Sequence, residues 1–278
     1  MNRTVTRRER GWVSTWLAVT SVLLMLGCGG SLRTDTPAAA WRYGGEAGPE
    51  NWGQLHPRFA ACTAGQAQSP IAIERALPQA LPRVLPRYTS SNAVFRYDDR
   101  LLRLDVENAG AVEVARQRFT LKHVLFHSPS EHHIRGRSFP LEIQLVHEGH
   151  ERTLFVISVF LDHGPDHPQL AWLWSGLPEA GARERPTKAP IDVATLLPGQ
   201  WRGYRYAGSL TTPPCDEPVS WLVLAQPLFV SPDRLQTFMA RFPPSRRPLQ
   251  PTQQRPVLTD ASPPQAMASP RPRRGRVL

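Results

Sequence analysis

Between positions 123 and 147 the chain gathers groups that bind metals or move protons: His123, His127, Glu131, His132, Glu142 and His147. A catalytic zinc needs three protein ligands and one open position. His123 and His127 are four residues apart, so on a strand they share a face but stand ~13 Å apart. Leu125 lies between them, and the two imidazoles cannot easily meet at one ion without a bulge. His132 and His133 are adjacent and point to opposite faces of a strand. His163 and His167, in Asp162-His163-Gly164-Pro165-Asp166-His167, read as a solvated turn. Thr211 and Thr212 offer hydroxyls, but neither has a general base beside it in sequence, which nucleophilic catalysis would require.

The elements that must carry these groups read as strands. Leu121–His127 and Leu141–His147 follow turns bearing proline or glycine. Residues 153–161 (TLFVISVFL) are almost continuously apolar, which suits a strand buried on both faces. Val219–Ala225 is a further strand. Helical patterns are short: Gln169–Trp174, and Pro232–Arg241 with Leu235, Phe238 and Met239 on one face. Proline is abundant, 29 of 278 residues, about twice the usual ~5%, and interior proline opposes long helices. A mainly β domain with short peripheral helices is expected over 41–258.

With 41% apolar and 20% charged residues the chain can bury a core. The net charge is +10. Much of it sits at the two ends, in Arg3, Arg7, Arg8 and Arg10, and in Arg271, Arg273, Arg274 and Arg276. A nucleic-acid surface concentrates charge on the folded face, so nucleic-acid binding is excluded as the expectation. Residues 1–27 combine a basic start with the short apolar run Trp12–Leu26, the pattern of a secretory signal and too short to span a bilayer comfortably. Met25-Leu26-Gly27-Cys28 resembles a bacterial lipoprotein box, with Cys28 as the lipid-modified residue and methionine where leucine is preferred. The expectation is export to the periplasmic side of a bacterial membrane, anchored through Cys28, with the outer membrane favoured. Residues 28–40 read as a tether and 259–278 as a disordered basic tail rich in proline.

Five ordered segments carry a family resemblance. They are Trp41-Arg42-Tyr43-Gly44 with Gly48-Pro49-Glu50-Asn51-Trp52; Cys62 to Ile71, similar to CxxGxxQSPI; Ser128-Pro129-Ser130-Glu131-His132; Gly208 to Cys215 (GSLTTPPC); and Arg247-Pro248-Leu249-Gln250-Pro251. Together they resemble the alpha-class carbonic anhydrases over about 41–258. The resemblance implies one domain around a large, twisted, mostly antiparallel mixed sheet with a conical pocket. It also implies a Cys62–Cys215 disulfide, consistent with an oxidising compartment, which leaves Cys28 as the odd cysteine.

In that family three histidines hold zinc, and the ion lowers the pKa of bound water to about 7. The first two ligands stand at i and i+2 of one strand, and Pro129-Ser130-Glu131-His132 sets their register here. Leu125 therefore stands in the first ligand position and His127 in the second, and the similarity of Glu142-Ile143-Gln144-Leu145-Val146-His147 to the family's ExHxVH puts Gln144 in the third. Only His127 keeps a ligand. The resemblance makes Thr211 and Glu131 remnants of the hydroxide-orienting pair, and Glu142 and His147 supporting residues. Pocket positions fall on Leu125, Gln144, His123, Thr212, Val146 and Val156, with Leu210 and Trp221. The family's proton-shuttle position falls on Ala111, after Asn108-Ala109-Gly110. Complete structural zinc sites bind with ~10–16 kcal/mol, and losing two of three ligands removes most of that. The expected reading is a carbonic-anhydrase-like protein that has lost CO2 hydration, holds no zinc at high occupancy, and binds an unidentified small molecule or protein, as a monomer. The alternative is an active dehydratase, forming bicarbonate and a proton from CO2 and water, with a remodelled zinc site.

Overall fold

The computed structural model describes residues 40–260. The signal, Cys28 and most of the tether and tail lie outside that range. One 13-stranded sheet dominates the described chain, beside a two-stranded pair, Ala72–Ile73 with His133–Ile134. Seven strands form its centre: β1 Ala93–Tyr97, β2 Leu102–Val106, β3 Gln117–His127, β4 Leu141–Glu148, β5 Leu154–His163, β6 Gly203–Gly208 and β7 Val219–Leu224. Their spatial order is β1-β2-β3-β4-β5-β7-β6. All these contacts are antiparallel except β5 with β7. Leu258–Asp260 pairs with β6, so the folded body runs to Asp260, two residues into the segment read as tail.

The strands form where the apolar runs foretold them. β4 and β5 are buried on both faces for nearly their whole length, as strands covered on each side must be. The Pro232–Arg241 helix turns Leu235 and Phe238 into the core. The Gln169–Trp174 pattern resolves into a 3-10 turn, Pro168–Leu170, continued by the helix Ala171–Gly176.

Register then places the chemistry. Because side chains alternate across a sheet, each transverse row of partners shares a face. One row runs Glu184, Arg96, Arg103, Leu125, Gln144 and Ser158. A second runs Asp105, His123, Val146, Val156, Trp221 and Tyr206. A third holds His127, Glu142 and Phe160. A register irregularity lies between Leu121 and His123, on the far side of His123 from Leu125, so it does not bring His123 toward His127. The opposite face carries the larger core cluster, including Phe95, Phe126, Leu145 and Ile157.

A disulfide joins Cys62 to Cys215 across 153 positions. It ties the N-terminal aromatic cluster of Trp41, Tyr43, Trp52 and Phe59 to the loop after Gly208. Gly208 is required there: a Cβ at this position would collide with Ser69 Oγ.

Candidate functional site

β3 and β4 lay the three expected ligand positions side by side. His127 is fully buried, and its Nδ1–H donates to the Ser245 carbonyl at 2.6 Å. A carbonyl only accepts, so this bond places the proton on Nδ1 and leaves a lone pair on Nε2. Nε2 is buried and has no partner among the described residues. Leu125 offers no donor atom. It packs in a buried cluster with Val146, Val156, Phe160, Trp221 and Val223. Gln144 turns its amide nitrogen to two carboxylates, Glu131 at 2.8 Å and Glu142 at 3.0 Å.

Beneath these positions lies a closed polar frame. Glu142 accepts from the backbone N–H groups of Glu131 and His132, from the His132 ring, from Gln144 and from the Ser158 hydroxyl, at 2.7–3.0 Å. Burial alone would raise its pKa, but His132 and these donors bring it down to about 2. His132 passes the network on to the Tyr206 hydroxyl at 2.6 Å, which meets Ser69 at 2.8 Å. Burial raises the Tyr206 phenol well above its ordinary range. Arg247, also buried, donates from its guanidinium to the Ser69 and Cys62 carbonyls. Its backbone N–H donates to Glu131. Burial lowers the Arg247 pKa to about 10, against the pull of Glu131 and Glu217.

A cavity of about 450 Å³ opens above this frame. Its inner wall includes Leu125, His123, Thr212, Leu101, Trp41 and Tyr97. Its rim carries Arg96, Arg100, Arg103 and Arg183 with Asp98 and Glu184. Burial and the neighbouring Arg103 lower the His123 pKa to about 4, so its ring is neutral at neutral pH.

A family model described as eukaryotic-type carbonic anhydrase matches residues 47–261. The chain belongs to the alpha-class carbonic anhydrase family. A carbonic anhydrase of Pectobacterium carotovorum is 34% identical over 233 residues, which cover 83% of this chain and 95% of the relative. The alpha-carbonic anhydrase of Thermovibrio ammonificans, solved with the inhibitor sulfanilamide, is 37% identical with a TM-score of 0.76, over 79% of this chain and 99% of that one. Dioscorin, solved with ascorbate, is 33% identical with a TM-score of 0.73, over 80% of this chain and 98% of that one.

Several family expectations meet a different arrangement. Of the pocket positions, His123, Leu125 and Thr212 line the open cavity, whereas Gln144, Val146, Val156, Leu210 and Trp221 do not. The reason is Leu125: an apolar side chain there joins the cluster of Val146, Val156 and Trp221, with Leu210 packed against it. The expected Glu131–Thr211 pair does not form. The two Glu131 oxygens accept from the Arg247 N–H and the Gln144 amide, and the Thr211 hydroxyl, though Thr211 is buried, has no hydrogen bond among the described residues. Ala111 is fully buried and does not line the cavity. The mouth is built instead by the β1–β2 hairpin, which supplies Asp98, Arg100 and Leu101. Among the described residues no group of three or more His, Cys, Asp or Glu side chains is placed to hold a metal ion.

Sequence reasoning missed the arginine rim and the roles of Arg247 and Ser245. A signal for the rim was present: residues 95–105 read FRYDDRLLRLD, with arginines on both sides of a turn.

Proposed function

We propose that this chain keeps the carbonic anhydrase fold, does not hydrate CO2 through zinc, and uses its cavity to bind a small molecule. The observation that carries the reading is Gln144, whose amide is committed to Glu131 and Glu142. A zinc ion does not fit the residues present. The lone pair on His127 Nε2 is the one group of the three suited to a cation; Leu125 supplies nothing and Gln144 at most a neutral amide oxygen. Glu131 accepts from the Gln144 amide and the Arg247 N–H and makes no hydrogen bond to Thr211 among the described residues. Dioscorin, solved with ascorbate, supports the idea that this fold accepts small organic molecules.

A working dehydratase with a rebuilt zinc site is the second reading. It draws on relatives named carbonic anhydrase and on the unpartnered His127 Nε2. Metal analysis and stopped-flow CO2 hydration separate the two. The full chain purified with zinc supplied is expected to hold no stoichiometric zinc and to show no hydration above buffer; one zinc per chain with hydration overturns the proposal. The double change Leu125→His with Gln144→His is expected to bind zinc. At about 100 times Kd that binding would stabilise the fold by ~2.7 kcal/mol, readable as a zinc-dependent rise in Tm.

Export with lipid attachment at Cys28 belongs to the same proposal. The Cys62–Cys215 disulfide supports an oxidising compartment. Fractionation with fatty-acid labelling tests it, and label persisting in Cys28→Ala counts against it.

A further inference from the structure

With an apolar side chain in the first ligand position, the electrostatic layout of the cavity runs opposite to that of a zinc site. Its inner end is Leu125, flanked by Leu101 and Trp41. Beside Leu125 in register stands Gln144, bonded to the buried carboxylates of Glu131 and Glu142. An anionic head pushed inward would meet hydrocarbon with carboxylates behind it and no cation between, an environment that penalises an unpaired charge. The outer end is different. Arg103 is the direct strand neighbour of Leu125, and Arg96 is the neighbour of Arg103. Arg100 and Arg183 complete a ring of four guanidinium groups, against which only two carboxylates, Asp98 and Glu184, face the cavity.

These arginines are braced by acids but not used up. Arg96 and Arg103 share Asp105, and Arg96 also meets Glu184. Arg100 meets Asp98, and Arg183 meets Asp99. Each guanidinium carries five N–H donors in a fixed fork, so donors remain for an incoming carboxylate, which that fork fits. Asp99 and Asp105, which take part in the bracing, do not line the cavity.

We propose that the cavity takes an amphipathic organic monocarboxylate, its apolar end inward on Leu125 and its carboxylate outward among Arg96, Arg100, Arg103 and Arg183. This rests on the reading that no zinc sits at the inner end. The volume, about 450 Å³, suits a fragment-sized ligand.

Calorimetric titration of the full chain with benzoate and with its neutral counterpart benzyl alcohol tests the inference, with zinc content measured on the same sample. Benzoate is expected to bind at least about tenfold more tightly than benzyl alcohol, and less tightly as salt rises. Arg103→Gln is expected to weaken benzoate by about fivefold or more while leaving benzyl alcohol unchanged. Should that variant fold poorly because Asp105 loses a partner, Arg183→Gln, the most exposed of the four, carries the same comparison. Equal affinity for acid and alcohol, no benzoate binding, or benzoate affinity unchanged in a folded arginine variant overturns the inference. A zinc-free sample that ignores benzoate defeats only this inference. A sample with one zinc per chain defeats the proposed loss of hydration, and the inward-apolar orientation with it.

Discussion

Glu142 and His127 are direct partners on adjacent strands, facing the same side of the sheet and both fully buried, yet the chain completes one and leaves the other open. Glu142 receives five hydrogen bonds from four residues. His127 makes one bond to the Ser245 carbonyl, and its other ring nitrogen has no partner among the described residues. The difference separates two kinds of demand on a buried group. Glu142 holds the turn containing Glu131 and His132 against the sheet, and a buried carboxylate stripped of donors is costly. That demand exists in every folded molecule, with or without a metal. The lone pair on His127 Nε2 is suited to a cation, and folding itself asks nothing of it. Leu125 takes no part in the frame, and Gln144 strengthens it by adding a donor to each of two carboxylates.

The sharpest way to break the contrast is Glu142→Ala. It strips the acceptor from two backbone N–H groups, an imidazole, an amide and a hydroxyl together. Loss of one partner in a buried ionic network costs about 3–5 kcal/mol. Urea unfolding is expected to show a destabilisation in that range; a loss under about 1 kcal/mol would mean the frame does not hold the fold.

Acid titration probes the same region next. Burial lowers the His147 pKa to about 4, even though the Phe155 carbonyl accepts from its Nδ1. Its ordinary value is 6.5, so the folded state resists protonation more than the unfolded chain does. The contribution is therefore whole above pH 6.5, falls away as pH drops from 6.5 toward 4, and is gone below that. Glu142 acts lower. Its ordinary value of 4.5 falls to about 2 in the fold, so its stabilisation is whole above 4.5 and is lost as pH falls through 2. Each step is on the order of 3 kcal/mol. Unfolding free energy measured against pH should decline in two stages; His123, also lowered to about 4, shares the upper one, and His147→Gln should shrink that stage while leaving the lower one in place. A single stage below pH 4 would remove His147 from the account.

The parts legible in the sequence are those set by local pattern. The apolar run of β5 demanded a strand covered on both faces, and two motif matches, Pro129-Ser130-Glu131-His132 for Leu125 and Glu142 to His147 for Gln144, pick out two residues that the register sets side by side. What pattern could not supply was direction of packing and partner choice. Leu125 packing into the Val146–Val156–Trp221 cluster depends on strands far apart in sequence, and the Gln144 amide choosing Glu131 and the β1–β2 turn setting Arg96 opposite Arg103 depend on register that the apolar pattern does not fix. Ala111 shows the cost: a short Asn-Ala-Gly match suggested the cavity mouth, while the strand Gly110–Val114, paired on both sides, buries the residue.

The smallest effect is expected at His127, and it sharpens the comparison most. His127→Leu removes one hydrogen bond to a backbone carbonyl and an imidazole nitrogen that already lacks a partner. The lost bond strands the buried Ser245 carbonyl, which costs about 1–3 kcal/mol, and removing the unpartnered nitrogen offsets part of it. Urea unfolding should therefore place this variant within about 2 kcal/mol of the parent, short of Glu142→Ala although the two side chains face one another across a single strand pair. A loss for His127→Leu as large as that for Glu142→Ala would show that Nε2 has a partner in solution. If that loss disappeared on chelation of metal from the parent, the partner would be a cation, and the zinc reading would return.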